Sequence, residues 1–142
     1  MDRSLAERYA REPVWAVVGA SNHRRKFGNR IYRALRDAGY TVYAVNDHER
    51  EVEGDPAYAR LGDLPRAPTV VDFVIPPEKA LRVAEDAVAA GARCLWFQPG
   101  AESATAADLA RHHGLAVVHD CILVRLVQMP DEPSGAQEEA LA

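Results

Sequence analysis

Residues 14–30 read VWAVVGASNHRRKFGNR, a five-residue apolar run that ends in Gly-Ala-Ser and passes through a basic loop into Gly28-Asn29 and a helix-patterned segment. A continuous apolar run of this length suits a strand covered on both faces, as in a parallel sheet. Gly19 has no Cβ, so the backbone can turn sharply there and come close to a ligand. Ser21 follows with a hydroxyl. His23, Arg24, Arg25, Lys26 and Arg30 put cations beside the start of the next helix, where unpaired N–H groups and the helix dipole favour an anion. The stretch predicts a strand feeding a phosphate-holding loop, with a phosphorylated molecule as guest.

Two familiar phosphate loops do not match. A P-loop needs Gly-Lys-Ser/Thr after a four-residue spacer, and no such triplet occurs. The dinucleotide fingerprint needs three glycines within six residues, whereas the next glycine after Gly19 is Gly28.

Outward from this stretch the same grammar repeats. Gly28 to Ala38 carries Ile31, Ala34, Leu35 and Ala38 at helical spacing, closed by Gly39, and YTVYAVN (40–46) is a second strand. Residues 51–64 are broken by Gly54, Pro56 and Gly62 into a short extended piece and a turn of helix, expected at a sheet edge. TVVDFVI (69–75) is a strand stopped by Pro76-Pro77, with Pro77 opening a helix to Ala90 that Gly91 closes. RCLWFQ (93–98) is the next strand. Ser103 or Thr105 caps a helix to His113, closed by Gly114, and residues 115–119 form the last strand. Repeated β-α-β units call for an α/β fold: one Rossmann-like, doubly wound parallel sheet of about five to six strands with helices on both faces. Residues 1–12 are expected to form an accessory helix (Leu5 to Arg11), 13–129 the folded domain, and 130–142 a disordered acidic tail.

Composition sets the class. A chain of 142 residues can bury about two thirds of its unfolded surface in one core. The net charge of −4 argues against general nucleic-acid affinity and makes the basic loop a local feature. Two cysteines, Cys94 and Cys121, form no disulfide framework. The polar start and the lack of a long apolar run point to a cytoplasmic protein without a membrane span.

No catalytic or metal constellation stands out. Ser21 is outside a Gly-x-Ser-x-Gly elbow. His112 and His113 are adjacent on a helix and point in different directions. His119-Asp120-Cys121 alternate faces if extended and cannot easily share one tetrahedral site. The expectation is a binding module that is not an enzyme by itself.

In a doubly wound sheet the ligand crevice lies beyond the carboxyl ends of the strands. Those ends are Gly19-Ala20-Ser21, Val45-Asn46-Asp47-His48, Ile75-Pro76-Pro77 and Gln98-Pro99-Gly100. These pieces, with VVGAS…GNR, GYTVYAVN, GDPAYARLGDLP, VDFVIPPE, WFQPG and VVHDC in order over residues 13–126, resemble the small stand-alone CoA-binding domain proteins, relatives of the CoA-binding domain of the succinyl-CoA synthetase α-subunit. The resemblance implies that Gly19, Ala20 and Ser21 hold the CoA diphosphate with Asn29 and a basic residue, drawn from Arg24, Arg25, Lys26 and Arg30. It implies that Val45, Asn46 and the residues after them meet the adenosine 3′-phosphate. It further implies that Ile75-Pro76-Pro77 lines the adenine or pantetheine and that Gln98-Pro99-Gly100 borders the pantetheine arm.

The chain departs from the family twice: Asp47-His48 stands where Pro-Lys is common, and His119-Asp120-Cys121 where Asp-Arg-Cys is common. Asp47 repels a 3′-phosphate at neutral pH, so compensating charge is expected from Arg24, Arg25 or Arg50. An acid at this position also suits a ribose hydroxyl, which makes NAD or another adenine nucleotide the alternative ligand. A third reading is an interaction module with a degenerate nucleotide crevice. An enzymatic role requires a partner enzyme that uses acyl-CoA.

Overall fold

The computed structural model describes residues 3–129. Helix α1 (Arg3–Ala10) precedes strand β1 (Val14–Val18), then come α2 (Phe27–Asp37), β2 (Thr41–Val45), β3 (Glu51–Val52) and β4 (Asp55–Tyr58). The second half runs β5 (Val70–Phe73), α3 (Ala80–Ala89), β6 (Cys94–Phe97), α4 (Ala104–His112), β7 (Ala116–His119) and α5 (Ile122–Gln128). Single 3-10 turns lie at Leu61–Asp63 and Pro77–Lys79. Residues 1–2 and the expected acidic tail lie outside the described residues.

The seven strands are ordered β3-β4-β2-β1-β5-β6-β7. All neighbours are parallel except β3 and β4, which form an antiparallel hairpin at one edge. This is the expected doubly wound Rossmann-like sheet, with one strand more than the upper expectation. The addition is the hairpin, whose two members are two and four residues long, too short for an alternating pattern to announce itself. The chain leaves β1 toward β2 on one side and returns to β5 on the other, so the order reverses at the β1–β5 seam.

Two cores follow from the alternation of side chains along each strand. Trp15, Val17, Val70, Cys94, Trp96 and Val118 face α1, α2 and α5, joined by Ile31, Leu35 and Ile122. Ala16, Val18, Val71, Phe73, Leu95 and Phe97 face α3 and α4, which contribute mainly alanines (Ala80, Ala84, Ala87, Ala106, Ala107, Ala110). Small residues there let the two helices lie close to the sheet and to each other. Trp15 and Trp96 are wholly buried with ring centroids 5.2 Å apart, and each indole N–H donates to a carbonyl, of Glu12 and Asp120 respectively. Each such side chain contributes roughly 2–3 kcal/mol of transfer free energy.

Helix α5 was not anticipated. ILVRLVQ is apolar and rich in branched residues, which suits a strand by local preference. Tertiary packing decides otherwise: Ile122 is buried, and Leu123, Leu126 and Met129 pack on the same core. The Ile122 N–H at the start of this helix donates to the Gln98 side-chain oxygen at 3.1 Å.

Candidate functional site

The carboxyl ends of β1, β2 and β5 meet at the seam where the strand order reverses. Gly19 adopts φ +106, and its N–H donates to the Val45 carbonyl at 3.0 Å. A Cβ on Gly19 would stand 2.2 Å from the Val74 oxygen, and one on Gly28 would stand 2.0 Å from the Gly19 oxygen. Backbone therefore packs on backbone from the end of β5, through the turn after β1, to the first turn of α2. Only glycine permits these two approaches. Lys26 occupies the N-cap of α2 in an extended conformation and no side chain caps that end, so first-turn N–H groups remain available to an anion.

Polar side chains brace the loop. Asn29 is wholly buried; its amide donates to the Ser21 carbonyl (2.7 Å) and to the Glu53 carboxylate (2.8 Å), while its oxygen accepts from Arg33 Nε (2.7 Å). The Asn46 amide donates to the Ala20 carbonyl (2.8 Å), and its oxygen accepts the N–H groups of His48 and Glu49. Ser21 Oγ accepts from the His23 N–H at 2.9 Å. Asn29 and Asn46 thus hold the cradle's shape with the very groups that the sequence suggested for ligand contact. The β3–β4 hairpin is bolted to α2: Tyr32 Oη donates to Asp55 at 2.6 Å and Arg36 donates to both Asp55 and the Glu53 carbonyl. Glu53, at φ +52 on the hairpin tip, lays its carboxylate against Asn29 and 3.8 Å from Arg24. The Asn29 hydrogen bond, aided by Arg24, holds its carboxyl below the usual range.

Among the loop cations, Arg24 is 63% exposed at its side chain, and Arg30 lies over the Phe27 ring at 5.5 Å. Arg25 and Lys26 are exposed and make no ion pair within the described residues.

Beside this loop, on the α3 side of the sheet, a cleft of about 690 Å³ opens over the ends of β1, β2 and β5. Of the residues expected at the site, Gly19, Val45, Asn46, Asp47 and Ile75 line it. Ala20, Ser21, Arg24, Arg25, Lys26, Asn29 and Arg30 belong to the adjoining loop and the start of α2. His48 is not part of the cleft lining; its Nε2 stands 3.3 Å from Asp47 Oδ1. Pro76 and Pro77 end β5 and open the 3-10 turn, exposed near the rim. Pro99 and Gly100 form an exposed turn after β6.

Gln98 is only 1% exposed; its Nε2 donates to Asp72 at 2.7 Å and its oxygen accepts from Ile122, so its side chain braces α5 from within the core. Asp72 is wholly buried, and burial pushes its carboxyl up to about 8. The cations of the cleft lining, Arg60, Lys79 and Arg82, are among the lining residues that the sequence reading did not include. The last two follow Pro77 at the start of α3, and that position past a strand's carboxyl end was the available signal.

Away from the cleft, His119 stacks on Phe97 (5.4 Å), Asp120 pairs with Arg125, and the Cys121 N–H donates to Asp120. Among the described residues no group of three or more His, Cys, Asp or Glu side chains could hold a metal ion, and no helix is long and apolar enough to cross a membrane.

The chain has relatives of known sequence and of known structure. The ADP-forming acetate–CoA ligase I of Archaeoglobus fulgidus is 36% identical over 80 residues, which is 56% of this chain and 12% of the ligase. This chain thus spans a small part of that relative. Protein YneT of Bacillus subtilis, uncharacterized, is 29% identical over 110 residues, covering 77% of this chain and 82% of its own length. The solved structure of a hypothetical protein from Pyrococcus horikoshii superposes with a TM-score of 0.82 at 31% identity, over 87% of this chain and 88% of that one. Residues 13–127 match the family described as the CoA binding domain, and this chain belongs to that family.

Proposed function

We propose that this protein binds CoA or an acyl-CoA with the diphosphate over the β1–α2 loop, and that it catalyses no reaction by itself. The observation that carries the reading is the backbone closure of Gly28 on Gly19. It brings the uncapped start of α2 beside the loop that bears Arg24, Arg25 and Lys26. Amide donors, the helix dipole and guanidinium groups together suit a diphosphate. The Ser21 hydroxyl, which accepts from His23, keeps its proton to donate to a phosphate oxygen. The adenosine end enters the neighbouring cleft, against Val45, Ile75 and the rim prolines. The ligase relative from Archaeoglobus carries its matching segment within a much longer chain, which supports a role in presenting CoA to a partner enzyme.

Thermal shift and calorimetry with CoA, acetyl-CoA, dephospho-CoA, NAD, NADP and ATP test this reading. CoA is expected to raise the melting temperature most. Arg24, Arg25 and Lys26 changed together to alanine are expected to weaken CoA roughly tenfold or more, with a shallower salt dependence of what remains. Unchanged affinity would remove the loop assignment. A second reading rests on Asp47, which lines the cleft at the end of β2, where a carboxylate suits a ribose hydroxyl. A response to NAD alone would favour it.

A further inference from the structure

CoA carries, besides its diphosphate, a separate 3′-phosphomonoester, and the cleft shows where its charge can be met. The β2 side is unfavourable: Asp47 lines the cleft, exposed, with only His48 beside it. Arg60 is already neutralised, because it holds Asp86 through two contacts of 2.6 and 3.1 Å. Two cations remain. Lys79 closes the 3-10 turn after Pro76 and occupies the N-cap of α3, and Arg82 lies three residues on in the first turn of that helix. Residues three apart on a helix are neighbours on one face, and both line the cleft. Both are exposed, and neither makes an ion pair or side-chain hydrogen bond among the described residues. The acids next to them on the lining are Glu78, before Lys79, and Asp86, one turn after Arg82, which Arg60 holds.

We propose that Lys79 and Arg82 form the phosphomonoester subsite of this cleft, taking the 3′-phosphate of CoA on the α3 wall, opposite Asp47. The assignment rests on the CoA reading and refines it. An arginine fork can take two phosphate oxygens while the lysine ammonium supplies a second, mobile charge. Discrimination between CoA and its 3′-dephosphorylated form then resides in α3, and diphosphate affinity resides in the β1–α2 loop. The two sets of cations are separable by mutation.

The test is calorimetry with CoA and dephospho-CoA, which differ by that phosphate alone, on the native chain and two variants. The native chain is expected to prefer CoA. The double variant Lys79→Ala/Arg82→Ala is expected to lose about tenfold in CoA affinity, which brings it down to that for dephospho-CoA. The loop variant Arg24→Ala/Arg25→Ala/Lys26→Ala is expected to weaken both ligands alike and so keep the preference. Lys79→Arg is expected to keep it too. A native chain that binds both ligands equally, or a double variant that retains the native preference or weakens both ligands equally, overturns the subsite and leaves the CoA reading standing. A native chain that binds neither ligand overturns the CoA reading itself, before any variant is measured.

Discussion

Asp72 sits in β5 in register with Val17 on one side and Trp96 on the other; Gln98 donates to its Oδ1, and Oδ2 is buried without a partner among the described residues. Burial favours the neutral acid and pushes the pKa up to about 8. The unfolded carboxyl titrates near ~3.9. Between those values the folded state binds one more proton than the unfolded state, so stability falls as pH rises through that window, by up to about 1.4 kcal/mol per pH unit. Glu53, Asp55 and Glu102 have lowered pKa values, and their contributions are lost only in acid, as pH falls. Asp72→Asn keeps the shape and the acceptor for Gln98 without a titrating proton. Urea midpoints from pH 5 to pH 8 are expected to decline for the native chain and to stay flat for the variant, which becomes the more stable of the two at pH 8. Parallel curves would mean that Asp72 is ionised in the folded state. The sequence shows an acid inside the run TVVDFVI, which identifies the strand. It does not reveal that α5 helps to cover the face on which Asp72 lies, because that helix was not anticipated and begins fifty residues later.

At the scale of elements, the junction between β1 and α2 is set by one close approach. Gly28→Ala would put a Cβ 2.0 Å from the Gly19 carbonyl oxygen, with backbone on both sides and no flexible side chain to yield. Overpacking of this kind costs typically 1–3 kcal/mol. The first turn of α2 must then swing away from the loop, so CoA affinity is expected to fall as well as the urea midpoint. Gly62→Ala is the control: nothing lies within 4 Å of its Cβ position, and stability is expected to hold or rise slightly. If Gly28→Ala behaves like the control, the loop has slack and the cradle is not preformed. The glycine spacing identified the strand, the turn and the helix start, since those are local. The partner of Gly28 was illegible because it is nine residues away along the chain and is defined only by the fold. The bracing by Asn29 and Asn46 was illegible for the same reason, as their hydrogen bonds reach Glu53 and Ala20 across the junction.

For the whole molecule, repetition of strand, helix and closing glycine was enough to read a doubly wound sheet, because right-handed crossovers leave few alternatives. Which strand neighbours which follows from long-range pairing, and that is why the cations of α3 were not connected with the ends of β1 and β2 until the fold was in hand. The cleft is consequently a property of the assembled sheet: its lining comes from residues as far apart as Val18 and Asp86. A ligand seated there contacts segments that separate only when the domain unfolds, so its binding energy adds to the stability of the whole. At a hundredfold excess over its Kd, CoA stabilises the native state by about 2.7 kcal/mol, which for a domain of this size raises Tm by roughly 8–10 °C. The buried pair Trp15 and Trp96 reports the sheet by fluorescence, and far-ultraviolet circular dichroism reports all the helices. Both signals are expected to shift together in one cooperative transition, with and without ligand. A ligand that displaced one transition and left the other in place would show that the site opens apart from the sheet, and the cleft would then belong to its loops rather than to the fold.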